Sequence, residues 1–127
     1  MDFAMRYDRW YLPLATVVGL GPKRTMIRVT DDALQVRHGW AFRLDVPLTK
    51  IASVRAIDRR PFSWGVHPSG DVWLVNGSRD GIVEIALAPA VTSKSVRLQS
   101  NSWGEVRTLC LSLVDPEDFV TVLRTYI

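Results

Sequence analysis

Apolar and polar residues alternate with a period of two along most of this 127-residue chain, and the period becomes helical only at its end. In residues 25–30, Ile27 and Val29 share one side and Arg28 takes the other. Leu34-Gln35-Val36-Arg37 repeats the pattern, and in residues 41–46 Phe42, Leu44 and Val46 alternate with Arg43 and Asp45. With Asp31-Asp32 and His38-Gly39 as turns, these segments predict three short strands in a meander, apolar side inward. Residues 52–57 form a fourth strand whose looser alternation predicts a bulge. Residues 10–20 are aromatic and β-branched, and are expected to form a first strand or edge segment interrupted at Pro13. Residues 72–75 and 82–87 flank the turn-rich Asn76-Gly77-Ser78-Arg79-Asp80-Gly81 and read as a hairpin. Residues 95–100 and 105–113 read as a second one around Asn101-Ser102-Trp103-Gly104.

The chain then changes character. Asp115 suits a helix N-cap, Pro116 the first helical position, and Glu117 and Asp118 the positive end of the helix dipole. Phe119, Val122, Leu123 and Tyr126 follow at i, i+3, i+4 and i+7, predicting a helix over residues 116–126 with that stripe buried. About eight strands and one terminal helix, with no repeat or dividing linker, predict one domain over residues 1–127. Nothing between the strands has room for a crossover helix, so a barrel capped by its last helix is favoured over βαβ units.

Residues 27–37, with two strand-like runs around Asp31-Asp32, lead to Val46-Pro47-Leu48-Thr49-Lys50-Ile51-Ala52-Ser53-Val54 and to the closing Val114-Asp115-Pro116-Glu117-Asp118-Phe119. Over roughly residues 25–57 and 106–127 the chain resembles the bacterial pleckstrin-homology-like (PH-like) family. The resemblance implies a mainly β fold: a PH-like split barrel of about seven to eight antiparallel strands, one mouth closed by a single C-terminal α-helix. That family is named by shape, so the resemblance implies no particular activity. Lipid-binding pleckstrin-homology domains carry basic residues in an early strand loop, which Lys23 and Arg24 match in charge.

Composition narrows the picture. At 47% hydrophobic residues the chain is far from the disordered class. The net charge of +3 is concentrated in the first half, and fits either an anionic partner or an arginine-rich composition with no binding role. The longest uncharged stretch, residues 10–22, is too short and too rich in proline and glycine to span a bilayer, so no transmembrane segment is expected. Acids near the start argue against a secretory leader, giving a cytoplasmic location, with a peripheral place at the inner membrane face as the alternative. The single Cys110 is expected to be a core thiol.

Candidate chemistry is sparse. The two histidines, His38 and His67, lack metal-ligand spacing, and His38 reads as a turn residue beside Gly39. No serine, threonine or cysteine occupies a nucleophile turn, and no glycine loop has the phosphate-cradling pattern. Neither enzymatic activity, nor a metal, nor a cofactor is expected. The best candidate site is the long connection of residues 58–71, where Arg59 and Arg60 suit an anion, Phe62 and Trp64 offer flat apolar surface, and His67 lies nearby. The alternative is that Trp64 folds back over the rim while the arginines stay solvated. Lys23 and Arg24 form a second basic pair. Five tryptophans, four of them in or beside predicted turns, fit rim packing, self-association or lipid contact. These features predict a noncatalytic interaction module that binds a protein partner or a second copy of itself. The alternatives are peripheral binding of anionic lipid through Lys23, Arg24, Arg59 and Arg60, and small-ligand binding at the barrel mouth. Nucleic acid is disfavoured, because the charge is modest and no base-reading motif is present.

Overall fold

The computed structural model describes residues 1–58, 60, 61, 63–92 and 105–127. Arg59, Phe62, Trp103 and the strand predicted over residues 95–100 lie outside the described residues. The fold is mainly β, in two sheets with a C-terminal helix. The first sheet has the order β1-β2-β3-β4, built from Asp2–Phe3, Thr25–Val29, Ala33–His38 and Phe42–Pro47. Its pairing is antiparallel throughout, with Ile27 opposite Val36 and Val36 opposite Leu44. Alternation dictates the faces as expected: Ile27, Val29, Phe42, Leu44 and Val46 are buried, while Arg28, Arg43 and Asp45 are exposed. His38 departs from expectation, because it ends β3 on the inward register and is fully buried.

The second sheet has the order β5-β8-β9-β7-β6, from Ile51–Ala56 (β5), Gly65–Ser69 (β6), Val72–Asn76 (β7), Ile82–Thr92 (β8) and Glu105–Ser112 (β9). The expected irregularity in β5 is present as a register shift between Ile51 and Ser53. Three expectations are corrected here. Residues 72–75 and 82–87 do not form a hairpin, because β9 lies between β7 and β8. β7 runs parallel to β9, so the strands are not all antiparallel. The long connection is shortened by β6, which pairs with β7 and carries His67. Among the described residues the two sheets are not closed into a barrel.

What joins the sheets is the N-terminal arm. Asp2 and Phe3 pair with β2, and Met5 then bridges to Leu113 and Tyr7 to Gly77, the residues that directly follow β9 and β7 of the other sheet. The Arg6 amide donates to the Ser112 carbonyl at 3.0 Å, and the Asp8 amide to the Gly77 carbonyl at 2.8 Å. Ser112 Oγ donates to the Arg6 carbonyl and accepts from the Gly77 amide. A Cβ at Gly77 would lie 2.6 Å from the Tyr7 ring and 2.8 Å from the Arg6 carbonyl, so only glycine allows the arm this close.

One core of inward side chains fills the space between the sheets, and the last helix covers it. This helix, α2 (Pro116–Tyr126), starts as its sequence demands, with the Asp115 carboxylate accepting from the Asp118 amide at 3.1 Å. It lies mainly against β5, burying Phe119, Val120 and Leu123. The buried stripe is therefore rotated from expectation: Val120 joins it, Val122 is only half-buried and Tyr126 is exposed. Phe3 meets the Phe119 ring edge-on at 5.0 Å, tying the arm to the helix.

Residues 10–20 are the largest correction. Tyr11–Val17 is a helix, here α1, and not a strand. Pro13 falls in its first turn, where a missing N–H costs nothing. The C-terminal end is closed by a Schellman arrangement: the Leu20 amide reaches the Ala15 carbonyl at 2.7 Å, the Gly19 amide reaches Thr16, and Gly19 takes φ +85°. Trp40, at the turn between β3 and β4, donates its indole N–H to the Val18 carbonyl.

Candidate functional site

Helix α1 is nearly devoid of polar side chains, yet it is buried only through Ala15, with Tyr11 half-buried. Ala15, Leu20 and Ala41 form a small cluster of their own, against which Tyr7, Tyr11 and Val66 pack. The rest of the helix and its flanks face outward: Trp10 is 55% exposed, Leu14 55%, Val17 84% and Val18 51%, with Leu12 and Trp40 also exposed. Contiguous apolar surface of this kind marks an interaction face far more often than scattered surface leucines do.

Lys23 and Arg24 lie beside this face. They sit on a single 3-10 turn, Pro22–Arg24, that follows the Gly19-Leu20-Gly21 reversal, and both are exposed. With Leu12, Thr16, Gly21 and Pro22 they line a shallow cleft of about 370 Å³. The turn is held from below. Thr25 Oγ1 lies 3.0 Å from the Gly21 carbonyl and 2.8 Å from the Tyr7 hydroxyl, and Tyr7 donates to the Leu20 carbonyl at 2.7 Å. His38 Nδ1 completes the chain at 2.9 Å from Thr25 Oγ1, while its Nε2 is buried without a partner among the described residues. Burial lowers the His38 pKa to about 4, so the ring is neutral near neutral pH.

The other candidate residues occupy a different region. Arg60 pairs with Asp80 at 3.0 Å and lines a separate cleft of about 470 Å³ with Ile57, Pro61, Val72, Leu74, Ile82 and Cys110. Trp64 is half-buried and donates its indole N–H to Asp8 Oδ2 at 2.8 Å. It meets Trp10 edge-on at 4.7 Å, with the Arg79 guanidinium 5.6 Å from its ring centre. His67 is exposed, and its Nε2 donates to the Trp64 carbonyl at 2.6 Å. Trp64 and His67 are thus brought together, whereas Arg60 and the Lys23–Arg24 pair line separate clefts.

Asp8 anchors this second region. Desolvation pushes its carboxyl pKa upward, but hydrogen bonds from Ser78, Trp64 and the Arg79 amide, with the Arg6 charge, outweigh it and hold the carboxyl below its ordinary value. Ser78 Oγ donates to Asp8 Oδ1 at 2.7 Å, and Asn76 Nδ2 donates to the Ser63 and Ser78 carbonyls. Two hydroxyl–acceptor pairs combine the groups that nucleophilic chemistry uses, Ser78–Asp8 and Thr25–His38, and in each one member, Ser78 or His38, is fully buried. Their geometry holds loops in place. Among the described residues, no three His, Cys, Asp or Glu side chains gather as metal ligands, and no helix is long and apolar enough to cross a membrane.

Sequence reasoning missed Trp10, Leu14, Val17, Val18 and Trp40 as one surface, because it placed residues 10–20 in a strand. The signal was present in Gly19-Leu20-Gly21-Pro22: a left-handed glycine after the apolar run, an apolar residue next, then a proline that stops the helix. With these surfaces in view, no known protein family, curated protein or solved structure matches the chain.

Proposed function

We propose that this protein is a noncatalytic docking module whose contact surface is the outward face of α1. One observation carries the reading: an uncharged helix, apolar on almost every side, buries only Ala15 and leaves Leu14, Val17 and Val18 in solvent. A helix of that composition is ordinarily covered on all sides. A PH-like split barrel, with the four-stranded first sheet, the second sheet and the closing helix as its parts, belongs to the same proposal as the scaffold that presents this face. Small-ligand binding at a barrel mouth has less support, since the two clefts are shallow and lie on the outside.

The test is site-specific photo-crosslinking in the cell. A photoreactive residue at position 17 is expected to form a defined adduct, and one at the exposed Glu117 on α2 is expected to form none. Equal labelling at both positions, or none at position 17, would remove α1 as the contact surface.

A further inference from the structure

We infer that the α1 face and the Lys23–Arg24 turn act as one membrane-binding surface whose ligand is the headgroup layer of an anionic phospholipid bilayer. The inference rests on the docking role of α1 and names its occupant. Three observations converge. First, the apolar side chains protrude beside two cations: Leu12 lines the same cleft as Lys23 and Arg24, and among the described residues neither cation forms an ion pair. Apolar contact with adjacent lysine and arginine is the combination that holds helices in the plane of an anionic interface.

Second, four carbonyls at the exposed end of α1 can leave water cheaply. The Leu14, Ala15, Thr16 and Val18 carbonyls at its exposed end already accept from Val18, Leu20, Gly19 and the Trp40 indole. Unsatisfied carbonyls would oppose entry into an apolar layer, and these are satisfied. Third, Trp10 and Trp40 stand near the two ends of the helix, each partly exposed, which suits residues that settle at headgroup depth. A second copy fits less well. Residues 9–24 carry cations and no acid, so a symmetric pair would set Lys23 and Arg24 against a face with no carboxylate to receive them.

The experiment is co-sedimentation with phosphatidylcholine vesicles, with and without phosphatidylserine at roughly three parts in ten. The protein should pellet with the anionic vesicles only, and should be released as salt rises from ~20 mM to ~0.5 M. Lys23→Ala with Arg24→Ala should weaken partitioning about thirtyfold, at about fivefold per cation. Leu14→Asp with Val17→Asp should abolish it, and both variants should keep the parent melting temperature because the altered side chains are exposed. Equal binding to neutral and anionic vesicles, or variants that bind like the parent, would overturn the inference. If vesicles fail while position 17 still crosslinks to a protein, the membrane assignment falls and the docking role stands. Failure of both removes both.

Discussion

His38 is an ionisable group that the fold refuses to charge. Its Nδ1 meets Thr25 Oγ1, its Nε2 has no partner among the described residues, and burial lowers its pKa from 6.5 to about 4. Well above pH 6.5 the ring is neutral in both folded and unfolded chains and adds no pH dependence. As pH falls from 6.5 to about 4, the unfolded chain takes up a proton that the folded one excludes, so stability is lost across that window, by about 3 kcal/mol at its lower end. His38→Gln should be less stable than the parent near neutral pH but flatter through the window, as read from urea midpoints at each pH. Equal acid sensitivity in variant and parent would place the titrating group elsewhere. The sequence did place a polar residue at the inward register of an apolar strand. Taking His38 as part of the turn with Gly39 hid that, because one position separates the two readings and each step along a strand reverses the face.

At the scale of elements, legibility followed locality. The meander of β2, β3 and β4 could be read from alternation because each strand pairs with its neighbour in sequence. Helix α2 could be read from its cap. Its buried stripe was misplaced in detail, because the packing surface is β5, whose position relative to the helix no local pattern encodes. Leu123→Ala should cost about 2 to 5 kcal/mol in chemical denaturation, the range for deleting a packed leucine side chain. A loss well under 1 kcal/mol would mean that α2 does not close the core. Helix α1 was hidden for a different reason. Its seven residues are too few to show a helical period and too few to be stable alone, so its formation depends on tertiary anchors, namely Ala15 beneath it and Trp40 on the carbonyl of its C-cap residue, Val18. The candidate site inherited the error: Lys23 and Arg24 were visible as a basic pair, but their apolar neighbour was not.

For the whole molecule, the pairing of β7 with β9 and the reach of the N-terminal arm joined segments far apart in sequence, and neither leaves a local signature. The arm belongs to both sheets at once, so removal of residues 1–8 should lower amide hydrogen-exchange protection in β2 and in β9 together. Loss confined to β2 would reduce the arm to an ordinary edge strand. The same feature bears on how the chain is made. Met5, Arg6 and Tyr7 leave the ribosome well before their partners Leu113, Ser112 and Gly77, the first of which stands just ahead of α2. Until then the opening segment can settle only on β2 and Gly77, and a nascent or prematurely terminated chain lacking β9 is without the Arg6–Ser112 and Met5–Leu113 links. Productive folding is thus tied to translation through β9, and products truncated before it should be open, protease-sensitive and quickly cleared.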